Sequence, residues 1–176
     1  MEPVREHRFA VVLRGPGLAE GLTETDPGRE GMLPHPIVPL VTEATRTAQL
    51  FNEFVAKAKA MLANQSPANM VLLRGFSGYP HIPSMTEVYK LKPAAIAVYP
   101  MYRGLAKLVG MSILPTGNTL ADEIDTIRQH YAEHDFFFLH YKRTDTMGED
   151  GNFEGKVRAL EDADALIPRL LELEPD

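Results

Sequence analysis

Apolar residues in this chain fall into short blocks separated by turn-forming clusters. Phe9-Ala10-Val11-Val12-Leu13 is a β-branched run stopped by Arg14-Gly15-Pro16-Gly17, which predicts a buried strand and a turn. Residues 15–40 are rich in Gly and Pro and keep no period. They read as an irregular loop, long for a compact domain, and so either functional or part of a surface that meets something else. From Thr42 to Met61, and on to Leu62, Ala44, Ala48, Phe51, Val55, Ala58 and Leu62 recur at three- and four-residue steps, which predicts one apolar helix face. Met70–Leu73 predicts a second buried strand, ended by Arg74-Gly75. Ala94–Val98 predicts a third, ended by Tyr99-Pro100. A short helix over Tyr102–Val109 with Gly110 behind it, a fourth strand at Met111–Leu114 and a helix over Leu120–Glu133 follow. Asp135–Tyr141, with three consecutive phenylalanines, reads as the central strand of a covered sheet. The last helix is expected from about Asn152 to Leu173, with Val157, Leu160, Ala163, Leu166 and Leu170 inward. Strands alternating with helices predict an α/β fold, a mostly parallel or mixed sheet with flanking helices.

In such sheets ligands meet the carboxyl ends of the strands. Here those ends carry Arg14, Arg74, Tyr99 with Arg103, and Lys142-Arg143 with Asp145. A guanidinium bonds phosphate or carboxylate at two points, and a following Gly lets the backbone approach or turn sharply. Two strand–Arg–Gly units therefore suggest an anion, although each Arg could equally leave the sheet for solvent and pair with a surface acid. The segment 144–152 packs Asp145, Glu149 and Asp150 into an expected strand-to-helix loop, a donor set suited to a hard divalent cation. Asp150 and Asn152 could instead cap the last helix. His130 and His134 have helical metal spacing but no evident third ligand, and read as surface residues. His140 sits near the end of the Phe-rich strand and could face a site or the core. No Gly-x-Ser-x-Gly elbow, phosphate-binding P-loop or dinucleotide fingerprint is present.

Composition narrows the class. The 176 residues are 44% hydrophobic, enough for a real core in one domain or two small ones, and Cys is absent, which excludes thiol chemistry, disulfides and iron–sulfur clusters. A formal charge of −6 offers no net positive field for nucleic acid. No apolar run approaches the roughly 18–20 residues needed to cross a bilayer, and the charged start of the chain has no signal-peptide pattern. A cytoplasmic enzyme, or part of one, fits these facts.

Several stretches in order carry a resemblance: His7-Arg8-Phe9, Val12-Leu13-Arg14-Gly15, Thr25-Asp26-Pro27, Asn52-Glu53-Phe54-Val55, Ala68 to Gly75, Tyr99 to Met111, and Lys142-Arg143-Thr144-Asp145 with Glu149 to Lys156. Together they resemble the archaeal-type, cofactor-independent (2,3-bisphosphoglycerate-independent) phosphoglycerate mutases of the alkaline phosphatase superfamily, from about residue 7 to the end. The resemblance implies an insertion domain over residues 1–90 that binds substrate, and a portion of a phosphatase-like, metal-binding core over 91–176. It implies two divalent metals, manganese, zinc or magnesium, and a Ser nucleophile that carries the phosphoryl group between 3-phosphoglycerate and 2-phosphoglycerate. By matching motif positions it makes Arg14 and Arg74 substrate-binding residues, with Arg103, His7 and Arg8 as further candidates, and Asp145 a metal ligand. The family's Asp-x3-His becomes Asp145-x3-Glu149 here, and a carboxylate still suits manganese or magnesium.

The family's N-terminal metal-binding Asp, its Ser nucleophile and its later Asp-His pair have no counterpart in the chain. The resemblance therefore implies a fragment, inactive alone because it lacks the nucleophile, with the small phosphorylated acid as partner and a homo-oligomer as a further expectation. Two other readings compete. One is a related superfamily member, homoserine kinase-like or phosphonate-processing. The other is a non-enzymatic module that binds a phosphorylated metabolite.

Overall fold

The computed structural model describes residues 1–5 and 7–173; Glu174–Asp176 at the end of the sequence lie outside it. Two short strands, β1 (Glu2–Arg5) and β2 (Arg8–Ala10), form a two-stranded sheet at the start. The chain then divides into two compact units, the first chiefly His7–Pro80 and the second chiefly His81–Asp176.

The first unit has one long helix. A 3₁₀ turn at Thr42–Ala44 leads into α1 (Thr45–Leu62), and the predicted stripe is the buried face, with Ala44, Ala48 and Phe51 inside. This face closes a core with Leu22, Ile37 and Leu73, and Phe76 meets Phe51 edge to face at 4.8 Å. Residues 15–40 hold no helix and no named strand, as expected, but they are tied down. Leu22 bridges Pro39 antiparallel, and the Asn52 amide holds both backbone groups of Ile37, accepting from its N–H at 3.0 Å and donating to its C=O at 2.8 Å. Buried Thr25 engages Leu73: its N–H donates to the Leu73 carbonyl at 3.0 Å, and its hydroxyl accepts from the Leu73 N–H at 2.7 Å.

Two expected strands change here. The strand placed at Phe9–Leu13 ends at Ala10, and Met70–Leu73 joins no ladder. The apolar run specifies burial, but Leu73 gets its hydrogen bonds from a side chain and one backbone group of Thr25 rather than from a neighbouring strand.

The second unit carries the α/β sheet. After α2 (Met85–Tyr89) come β3 (Pro93–Ala97), α3 (Pro100–Leu108), β4 (Ser112–Ile113), α4 (Leu120–His130) and β5 (Phe136–His140). The strands lie in the order β4-β3-β5 and are all parallel, so β3, not the Phe-rich strand, is central. All five residues of β3 are buried, and its small alanines let helices sit close on the sheet. The Phe-rich β5 forms an edge and is only partly buried. The 3₁₀ turn Tyr131–Glu133 covers it locally, with Tyr131 stacked on Phe137 at 6.1 Å.

Two further expectations shift. Residues 143–149 form a helix, α5 (Arg143–Glu149), rather than a loop. Asp145 favours its first turn, and the left-handed Gly151 stops the chain only beyond it. The last helix is broken into α6 (Phe153–Asp164) and α7 (Ile167–Leu171), because Pro168 has no N–H and restricts Ile167 before it. Asn152 caps α6, its side chain accepting from Gly155 N–H at 2.8 Å. Ala159 is the buried contact of that helix, and Leu160, expected inward, is 52% exposed. No described helix is long and apolar enough to cross a membrane.

Candidate functional site

In the second unit the register pairs Ala97 with His140, so β3 and β5 end level and their carboxyl ends release Val98-Tyr99 and Tyr141-Lys142 side by side. That is where parallel sheets place ligands. Pro100 at the first position of α3 starts that helix at once and puts Tyr102 in its first turn. The Tyr102 ring stacks on His140 with centroids 3.5 Å apart, and Tyr99 meets Tyr102 edge on at 6.1 Å. The Lys142 ammonium stands 5.6 Å from the centre of the Tyr99 ring.

Lys142 is the hub of this cluster. Its Nζ pairs with Asp145, and with Glu149 at 3.2 Å. Asp145 and Glu149 stand four apart on α5 and share a face, so one ammonium reaches both. The hydrogen bond from Lys142 holds the Asp145 carboxyl below the usual carboxylate range, and the same bond pushes the lysine up. Burial lowers the pKa of the His140 imidazole and so favours its neutral form. Its Nδ1 is buried with no hydrogen-bond partner among the described residues.

These residues test the metal expected from the sequence. Asp145 and Glu149 are of the right type, and the structure brings them together. Their charge is already met by Lys142, and no group of three or more His, Asp or Glu that could hold a metal occurs among the described residues. The set present does not by itself make a metal centre.

The first unit holds the arginines. The Arg74 guanidinium lies 3.3 Å from the Asp26 carboxylate, with the arginine 67% exposed and the aspartate 20%. Arg74 lines two cavities of this unit, one of about 590 Å³ with Val12, Leu72 and Phe76, and one of about 620 Å³ with Asp26, Arg29 and Met70. Arg14 is exposed just beyond Leu13, which lines the cavity of about 590 Å³. Neither arginine terminates a regular strand, contrary to the sequence expectation, because neither preceding segment pairs in a ladder that far. His7 is exposed, Arg8 is half-buried in β2, and in the second unit Arg103 is exposed on α3.

Tyr102 and Glu123 are missing from the sequence-based site, which names Lys142 at a strand's carboxyl end but gives it no role. Lys142 was legible as the cation next after Tyr141 at a strand's carboxyl end. Glu123 gave no signal, because it reads as one more acid in an acidic first helical turn.

Comparison with known proteins identifies the family. A family model described as the metalloenzyme superfamily matches residues 47–176, and one described as 2,3-bisphosphoglycerate-independent phosphoglycerate mutase matches residues 1–69. The chain is 49% identical over 177 residues to a probable 2,3-bisphosphoglycerate-independent phosphoglycerate mutase of Thermotoga petrophila, covering 99% of this chain and 43% of that protein. Against the protein of the same name from Thermus thermophilus it is 48% identical, covering 97% of this chain and 43% of the relative. Among solved structures, the cofactor-independent phosphoglycerate mutase of Thermoplasma acidophilum matches with a TM-score of 0.54 at 27% identity, over 85% of this chain and 43% of that one. A Pyrococcus horikoshii protein matches with a TM-score of 0.62 at 27% identity, over 76% and 40%. The chain spans less than half the length of these relatives. On the match over residues 47–176, the chain belongs to the metalloenzyme superfamily.

Proposed function

We propose that this chain is the arginine- and carboxylate-bearing portion of a cofactor-independent phosphoglycerate mutase. The complete catalyst interconverts 3-phosphoglycerate and 2-phosphoglycerate through a phosphoserine intermediate. The observation that carries this reading is similarity over 99% of the chain, at 49% identity, to a protein named for that reaction. The exposed guanidinium of Arg74 at the cavities of the first unit supports it, because a doubly anionic three-carbon acid needs fork-like cationic donors. In this reading Arg14, Arg74 and Arg103, with His7 and Arg8, bind the substrate. Asp145 and Glu149 contribute one corner of a divalent-metal site, completed by ligands from elsewhere in the catalyst once Lys142 gives way. Manganese, zinc or magnesium would there stabilise charge on the transferring phosphoryl group. The isolated chain, in which the family's serine nucleophile has no counterpart, binds but does not turn over. A cytoplasmic location and a homo-oligomeric catalyst belong to the same proposal.

Arg74 is held by Asp26 until an anion takes that carboxylate's place. Titration of the chain with 3-phosphoglycerate, followed by NMR of the Arg74 and Gly75 signals, tests this. Arg74→Ala is expected to weaken binding by about 10- to 100-fold, the loss of a charge-assisted contact worth about 1.5–3 kcal/mol. Asp26→Asn is expected to tighten it by about two- to fivefold, since an exposed competing pair is worth up to about 1 kcal/mol. Unchanged affinity in both variants would remove Arg74 from the substrate site.

A further inference from the structure

We infer that Thr25 is the positioning residue for Arg74: its buried hydroxyl fixes the backbone on which that guanidinium stands, and so sets the direction from which an anion is met. This rests on the reading above that Arg74 binds a phosphorylated acid.

Residues 70–74 lie in no helix or strand, so no ladder orients Arg74. Within that segment only Leu73 has backbone hydrogen bonds among the described residues, and all of them go to Thr25. The Thr25 hydroxyl accepts from the Leu73 N–H at 2.7 Å and donates to the Leu73 carbonyl at 3.3 Å, while the Thr25 N–H donates to the same carbonyl at 3.0 Å. The Leu73 side chain sits in the core with Leu22, Ile37 and Phe51. Burying one apolar side chain fixes how deep a segment lies but leaves its rotation open, because the hydrophobic effect has no direction. Hydrogen bonds to both backbone groups of Leu73 are directional and remove that rotation.

The neighbours of Thr25 continue the pattern. A Glu24 carboxylate oxygen accepts from the Gly75 N–H at 2.9 Å, and the Asp26 carboxylate meets the Arg74 guanidinium at 3.3 Å. The other Asp26 oxygen accepts from the Gly28 N–H at 2.8 Å, which fixes that carboxylate in turn. Residues 24–26 thus hold residues 73–75, with Arg74 in the middle. Thr25 is the buried member of this clamp, whereas Glu24 is exposed, and the Thr25 carbonyl is itself held by the His35 N–H at 2.8 Å. A valine would have the same shape, so packing alone does not call for the hydroxyl. The Leu73 N–H does, since without it that buried donor has no acceptor. Because the Arg74 side chain is largely exposed, a fixed backbone is what limits the freedom it gives up on binding.

The test measures the affinity of the full chain for 3-phosphoglycerate by NMR titration, in a double-mutant cycle. Thr25→Val, which keeps the shape and removes the hydroxyl, is expected to weaken binding about three- to tenfold, and Thr25→Ser, which keeps the hydroxyl, to stay within about twofold of the wild type. In an Arg74→Ala background Thr25→Val is expected to change affinity by less than about 1.5-fold, because a residue that acts through Arg74 then has nothing to act on. A general loosening of the unit would weaken binding equally in both backgrounds. Wild-type affinity in Thr25→Val, a loss in Thr25→Ser that matches it, or equal losses with and without Arg74 overturns the inference. If Thr25→Val does not fold, backbone relaxation of the wild type decides: the Arg74 order parameter is expected near about 0.85, as in a rigid backbone, and a value below about 0.6 overturns the inference. Equal binding by the wild type and Arg74→Ala would sink the substrate reading by itself. The positioning of Arg74 would then be judged by its order parameter in Thr25→Val, which is expected to fall toward about 0.6, and an unchanged value overturns it.

Discussion

Glu123 lies 1% exposed in the first turn of α4, and neither carboxylate oxygen has a well-formed hydrogen bond among the described residues. Burial pushes its pKa up to about 7, with the backbone of Val98 pulling weakly the other way. A group whose folded pKa exceeds its unfolded value near 4.5 contributes stability that is fully present below that value and is lost as pH rises through about 7. Urea unfolding of the wild-type chain should therefore show falling stability between those two pH values, by an amount on the order of 3 kcal/mol. Glu123→Gln should flatten that slope and exceed the wild type above neutral pH. Parallel curves for the two proteins would mean that Glu123 keeps an ordinary pKa. At this scale the sequence was a partial guide. Arg74, Asp145 and Glu149 were legible because their side-chain chemistry stands out beside strand patterns. The Lys142 pairing was not, because it depends on α5 turning both carboxylates onto one face, and a dense Gly/Asp segment reads as a loop.

Among the elements, the helices were the more legible, because three- and four-residue apolar spacing survives any tertiary arrangement. The stripe from Ala44 to Leu62 is the buried face of α1, and Gly110 ends α3 as expected. That ending is a Schellman motif: Gly110 N–H donates to the Lys107 carbonyl at 3.1 Å and Met111 N–H to the Ala106 carbonyl at 3.0 Å. Gly110 has φ +79°, and a Cβ there would stand 2.7 Å from Cβ of Ser84. Gly110→Ala should cost about 1–2 kcal/mol from backbone strain, plus the displacement of Ser84 from the start of α2. Thr119→Ala should cost about 1 kcal/mol, since Thr119 and Asp122 form the capping box that opens α4. Calorimetry of both variants checks these values, and an unaltered Tm in Gly110→Ala would contradict the turn described. Strands were harder to read. An apolar run specifies burial but not a partner, so Met70–Leu73 was read as a strand although it pairs with a threonine. The Phe-rich run was read as central although it is an edge.

For the whole molecule, the exposed Arg74 and its cavities belong to the first unit, and the carboxylate pair on α5 belongs to the second. A chain of formal charge −6 gives no general attraction for an anion, so the proposed binding of a phosphorylated acid rests on local guanidinium groups. Its relatives are more than twice as long as the segment they share with it. The alternation of strands and helices in the second half was enough to infer an α/β fold with a mostly parallel or mixed sheet, and the strands found are parallel. The order of its strands was not, because order depends on which crossover packs where. The measurement that tests the central claim most directly is phosphorus NMR of 3-phosphoglycerate with manganese. It is run on this chain alone and on the chain mixed with the unmatched portions of the Thermotoga petrophila relative. The account predicts 2-phosphoglycerate only in the mixture, with the rate reduced when Arg74→Ala replaces the wild-type chain. Formation of 2-phosphoglycerate by the chain alone, or none in a mixture shown to form a complex, would contradict it.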